Sequence, residues 1–334
     1  MNKNPVVKKH FLPFVLLLIT ISIFFNYCKP ALSKEEAEAH LRAFDYELIR
    51  LIEGIQHTRS YRVLQELTKV ENAPIPFFAH RSETLGGISK FNFDVLCGVY
   101  DFDSINRGFT RSGYSDSIII NYTLQAESEK IFRFVIAEYA EDPSSSSLMI
   151  PTRFHALLFA GEKLSAEIDH SARLEHKLPV ELHTRVGFEN YHLEADLTTR
   201  LRKDYGDVKI KTKVLKDSKE MLHWVTKLRV GMVESGSFFV KSINMKLSMY
   251  PVFLCAEVDN DAINSNAIDF IEEFNRYSKI NVYRMRDNRK LCTIRLKVRE
   301  ASDKLDYAIY YSDSSFVFVD KLMLTADKIM NIKK

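Results

Sequence analysis

The chain has 334 residues, of which 46% are apolar and 12% aromatic, with only 11 glycines. That apolar content excludes a disordered chain, and the length suffices for one large domain or two small ones. Lys3, Lys8 and Lys9 account for the formal charge of +3, which leaves 44 basic residues against 44 acidic ones beyond residue 27, so global charge gives no case for nucleic-acid binding.

At the N-terminus, Lys3, Lys8, Lys9 and His10 precede an uncharged apolar run from Phe11 to Phe25. This is the layout of a secretory signal over 1–27. The run is short for a membrane-spanning helix, which needs about 20 apolar residues, and Pro13 interrupts its start. Cys28 stands directly after it and resembles the lipidated cysteine of bacterial lipoproteins, although Tyr27 occupies the place where that family usually has a small residue. Cleavage after Ala31-Leu32-Ser33 and a retained anchor are the alternatives. The other cysteines, Cys97, Cys255 and Cys292, have no CxxC spacing, so a thiolate zinc site is not expected. Either Cys255 pairs with Cys292 in an oxidising compartment, or all three are unpaired and buried.

Ser33 and Glu36 form a capping box, and Ala37, Leu41, Phe44, Leu48, Leu51 and Ile55 follow at helical spacing, which predicts an amphipathic helix over 34–56. A second helix is expected over 60–70, stopped by Ala73-Pro74-Ile75-Pro76, so that 28–78 opens the mature chain as a helical hairpin. From Phe91 the period changes to two. Strands are expected near 91–99, 117–125, 130–139, 152–160, 163–172, 179–188, 190–200 and 207–215, with turns at Ala160-Gly161-Glu162 and Glu189-Asn190. The polar stretch 142–147 reads as a loop. Further strands are expected near 237–247 and 251–258, then a helix near 262–277, then strands near 280–286, 291–299, 306–312 and 315–319. The pattern predicts an α+β fold in which a long, bent, mainly antiparallel sheet or incomplete barrel fills 79–334, with helices laid across its concave side.

Three clusters are candidates for chemistry. Residues 276–299 carry nine basic side chains against one acid, Asp287. Strand parity groups Arg295, Lys297 and Arg299 on one face, with Arg284 and Arg286 alternating on the partner strand. Such a patch suits a lipid headgroup, an acidic glycan or an acidic partner; acids near the preceding helix, such as Asp269 and Glu272, would neutralise it internally. Lys209, Lys211 and Lys213 form a second stripe, of the kind that protects an exposed sheet edge. His155, His170, His176, His183 and His192 concentrate five imidazoles near Glu181 and Glu194, but no spacing matches a metal motif. G-x-S-x-G, H-E-x-x-H, P-loop and dinucleotide fingerprints are absent, and no cofactor is expected. His80 or His223 with a distant acid would be needed for catalysis.

Taken together, the charged tip, apolar run, Cys28-Lys29, capped helix and long meander look like the uncharacterised lipoproteins of Bacteroidota cell envelopes. That resemblance implies an envelope location and membrane attachment by a lipid such as palmitate on Cys28. Asp103-Ser104-Ile105 and Asp116-Ser117-Ile118 are similar to the O-glycosylation acceptor of that group. A bent sheet with a helical lid is similar in outline to the carriers that shuttle lipids or lipoproteins across the periplasm. The expected role is non-enzymatic: binding of a lipid, an acyl chain or an envelope protein through the curved sheet. The rival is a hydrolase acting on envelope glycans or esters, which requires convergent carboxylates or a histidine beside a hydroxyl in a cleft.

Overall fold

A computed structural model describes residues 32–70, 73–76, 83–84, 87–88, 91–103, 108–123, 131–141, 151–175, 178–232, 238–264, 267–300 and 304–325. The signal-like segment, Cys28, His80, Ser104, Ile105, the 142–147 stretch and His176 lie outside the described residues.

Helix α1 spans Lys34–Gln56 and opens on the expected capping box, with Ser33 Oγ accepting from the Glu36 N–H and the Glu36 carboxylate accepting from the Ser33 N–H. Its buried stripe is Ala37, Leu41, Phe44, Asp45 and Leu51. Helix α2, Arg59–Leu67, starts one residue ahead of the expected position and is capped by Thr58. Ser60 is fully buried and turns to the sheet instead: its Oγ lies 2.8 Å from both the Ser165 carbonyl and Glu189 Oε1. The alternation at 91–97 does not form a strand. Asn92 Oδ1 accepts from the Val95 N–H and starts the short helix α3, Phe93–Leu96. Local side-chain capping here overrides a period-two pattern.

Two short strands, β1 (Glu83–Thr84) and β2 (Gly87–Ile88), pair with each other. The remaining strands are β3 (Gly98–Asp103), β4 (Gly108–Gly113), β5 (Ile118–Thr123), β6 (Ile131–Glu141), β7 (Pro151–Ala160), β8 (Lys163–Glu175), β9 (Leu178–Phe188) and β10 (Tyr191–Leu201). They continue as β11 (Tyr205–Lys216), β12 (Lys219–Met232), β13 (Phe238–Met249), β14 (Val252–Asp259), β15 (Ser278–Arg284), β16 (Lys290–Arg299), β17 (Lys304–Tyr310) and β18 (Phe316–Phe318). Helix α4 (Phe270–Tyr277) joins β14 to β15 and is half the expected length; α5 is Val319–Leu322.

β3 to β18 form one open 16-stranded sheet that runs in sequence order from β18 back to β5 and ends β5-β3-β4. The β3–β5 pair is parallel because β4 occupies the edge beyond β3; the other pairs are antiparallel. The sheet is therefore mixed, and it does not close into a barrel.

Register sorts the side chains into two faces. Cross-strand partners such as Leu197–Ile210, Met245–Ala256 and Ile280–Ile294 form an apolar face, and Thr198–Lys209 and Asp196–Lys211 belong to the other, polar face. One core unites α1 and α2 with the apolar face, from Ile118 and Ile120 on β5 to Ile309 on β17. α1 crosses the strand ends: the Leu32 carbonyl accepts from Ser312 Oγ beyond β17, and Gly54 lies against Tyr191 at the start of β10. Those ends are seven strand spacings apart, about 33 Å, which matches the helical rise of about 33 Å from residue 32 to 54.

Candidate functional site

The end of the sheet away from α1 carries the distinctive surfaces. On the polar face, register aligns Arg173, Glu181, Thr198, Lys209, Lys227 and Asn244 in one row that crosses six strands from β8 to β13. A neighbouring row places Arg200, Asp207, Arg229 and Ser242 side by side, and another holds His183, Asp196 and Lys211. Together they line an open cleft of about 1080 Å³.

Each carboxylate in this cleft has its own cation or imidazole. Arg173 binds Glu181 at 3.1 Å, Arg229 binds Asp207 at 3.1 Å, and His183 Nδ1 meets Asp196. The hydrogen bond from Arg173 holds the Glu181 carboxyl below the usual carboxylate range. Arg200, Lys209, Lys211 and Lys227 have no acidic partner among the described residues. Lys209 stands directly opposite Lys227, an arrangement that costs stability when nothing anionic lies over it. The edge-protection expectation for Lys209, Lys211 and Lys213 is overturned by strand order: β11 is interior, paired to β10 on one side and β12 on the other. Lys213 does find an acid, Glu220, at 3.8 Å.

The histidines do not converge. His155, His183 and His192 share the polar face on separate strands, whereas His170 is on the apolar face. His170 Nε2 donates to the Pro151 carbonyl at 3.0 Å, which leaves Nδ1 to accept from Thr184 Oγ1 at 2.8 Å. Burial lowers its pKa. No group of three potential metal ligands occurs among the described residues.

The basic hairpin is divided by its own strands. Arg284 lies on the helix side of the sheet, 3.5 Å from His40 Nε2, and donates to Asp287 at 3.0 and 2.6 Å. Arg286 is exposed in the turn. Arg295, Lys297 and Arg299 do sit together, on the polar face, where they lie over the rings of Tyr310, Phe316 and Phe318 at 5.5, 4.6 and 4.2 Å. Arg299 is further held by Asp306 and Asp320. Parity revealed the grouping of Arg295, Lys297 and Arg299; the aromatic row of β17 and β18 beneath them carried no motif to read.

The apolar face of the same distal region carries Leu182, Leu197, Val208, Ile210, Leu228, Ile243, Met245 and Val258 in two adjoining rows. These side chains are half-buried and lie outside the buried core. Trp224, nearer α1 on the same face, is 41% exposed.

Cys255 and Cys292 are free, as is Cys97. Cys255 is in register with Asn281 on the polar face and Cys292 with Val282 on the apolar face, so the sheet itself separates the two thiols. No protein-family model, curated protein or solved structure significantly matches this chain.

Proposed function

We propose that this protein is a non-enzymatic lipoprotein of the cell envelope, attached to a membrane through Cys28, that holds a lipid or acyl chain on the apolar face of its open sheet. The observation that carries this reading is the pair of half-buried aliphatic rows from Leu182 to Val258, which lie beyond the reach of α1 and α2. An acyl chain along those rows would leave water at about 0.8 kcal/mol per buried methylene. A mixed, open sheet allows such a chain to enter from the side, without passage through a closed lumen. Arg295 and Lys297 would meet an anionic headgroup only around the β18 edge, because they stand on the opposite face. An envelope protein is the other occupant such a face can take. Glu181 and Asp207 are each held by an arginine, which favours binding over hydrolysis, since a general acid or base must be free to exchange a proton.

Native mass spectrometry of residues 34–334, exported and purified without detergent, tests the proposal. The expected result is an added mass in the fatty-acid or phospholipid range that is lost on delipidation and reduced in Leu228→Glu. A clean apo mass, together with no uptake of a fluorescent fatty acid, overturns it.

A further inference from the structure

The polar face carries a second site, independent of any ligand on the apolar face. We propose that the charged cleft across β8–β13 binds a linear anionic polysaccharide, whose carboxylate, sulfate or phosphate groups lie among Arg200, Lys209, Lys211 and Lys227.

Three features carry this assignment. First, eight of the side chains lining the cleft are Lys or Arg and three are Asp or Glu, and all three acids are already engaged by Arg173, His183 and Arg229. The uncompensated cations thus lie at the middle of the row, where Lys209 and Lys227 face each other between strands that are paired on both sides. A bound anion converts that repulsion into charge-assisted hydrogen bonds.

Second, the cleft is open and extends over five strand spacings, about 24 Å, which suits an extended polymer more than a compact metabolite. Third, Ser171, Thr198, Ser242 and Asn244 interleave with the charges and offer neutral hydrogen-bond partners for sugar hydroxyls.

The lining also selects against other polyanions. It contains no Phe, Tyr or Trp, so it offers no platform for nucleic-acid bases and none of the aromatic anchors typical of protein interfaces. Its interspersed carboxylates disfavour a ligand as densely charged as a nucleic-acid backbone and tolerate one anionic group every sugar or two.

The test uses the full chain and fluorescein-labelled heparin or polygalacturonate, with neutral dextran, poly-glutamate and single-stranded DNA as comparators. At least one of the two anionic glycans is expected to bind more tightly than any comparator, with affinity falling as salt rises. Lys209→Ser/Lys227→Ser should weaken that binding by about tenfold or more without lowering the unfolding midpoint. Arg295→Ser/Lys297→Ser, on β16 near the β18 edge, should leave it unchanged. The proposal is overturned if the folded protein binds neither glycan at low salt, if DNA or poly-glutamate binds as well as the glycans, or if the edge variant weakens binding as much as the cleft variant. Lys211→Ser alone provides a second reading should the double variant fold poorly, with a smaller loss expected and no loss counting against the site.

Discussion

The carboxylate of Asp45 on α1 accepts the backbone N–H groups of Leu324 at 2.8 Å and Thr325 at 3.1 Å. The side chain is nearly inaccessible, at 4% exposure, and it ties the first helix of the body to the segment that follows α5. Removing it leaves the Thr325 amide without a partner in a buried site and the Leu324 amide without one in a half-buried site. Asp45→Ala should therefore cost about 2–3 kcal/mol in urea unfolding, and Asp45→Asn, which keeps one acceptor oxygen, should cost less. A loss within about 0.5 kcal/mol, the range of an ordinary surface change, would show that the C-terminal segment does not depend on this contact.

Gly54 lies in the last turns of α1, where glycine normally costs about 1 kcal/mol relative to alanine. The sequence tolerates it because Tyr191 crosses there: a Cβ on residue 54 would fall 3.0 Å from Tyr191 Cζ and closer still to the hydroxyl. Tyr191 is 6% exposed and has little room to retreat. Gly54→Ala is expected to destabilise the protein despite its helix propensity. In a Tyr191→Leu background the same change should become stabilising, and a thermal-denaturation double-mutant cycle reads the difference in sign. Equal effects in both backgrounds would remove Tyr191 as the reason for the glycine.

Local rules were legible in the sequence where one residue's chemistry decided the outcome. Ser33 and Glu36 placed the start of α1, and the expected turns at Gly161 and Glu189 match residues with positive φ of 62° and 45°. Strand parity correctly grouped Lys209 with Lys211, and Arg295 with Lys297. What parity cannot give is a strand's position in the sheet. Lys209 and Lys211 read as edge protection because nothing in β11 announces two neighbours, and β12 (Lys219–Met232) was not among the expected strands although Leu222, Trp224, Thr226 and Leu228 alternate along it. Without β12, the opposition of Lys209 to Lys227, and hence the cleft, was invisible. Arg284 misled because register puts it on the apolar face, opposite to Arg295 and Lys297, where Asp287 claims it and the ring of His40 lies 3.5 Å away.

The three described thiols should differ sharply in reactivity. Burial pushes the Cys292 thiol up to about 12 and raises that of Cys97 as well, so neither offers thiolate at neutral pH. Cys255 is half-buried on the polar face beside Lys246. N-ethylmaleimide at neutral pH should modify Cys255 first, and Cys97 and Cys292 only on unfolding, as located by peptide mass mapping. Labelling of Cys292 in the folded protein at the rate of Cys255 would contradict its burial.

Acidification should destabilise the protein in two separable steps. Burial lowers the pKa of His170, and burial with the nearby Arg284 guanidinium lowers that of His40, both from the ordinary imidazole value of 6.5. The unfolded chain then binds more protons than the native one below that value, so the histidine contribution is complete above about pH 6.5 and is lost as pH falls through the folded values. Asp287 follows the carboxylate pattern: the Arg284 hydrogen bond holds its pKa well below the ordinary 3.8, so its contribution is present above that value and lost only at lower pH. Urea midpoints should decline between about pH 7 and pH 5 in the parent. His40→Gln/His170→Gln should flatten that decline, and Asp287→Asn should leave it intact while removing part of the loss below about pH 4. If the histidine variant titrates like the parent between pH 7 and 5, the neutral Pro151–His170–Thr184 chain is not what acid disrupts.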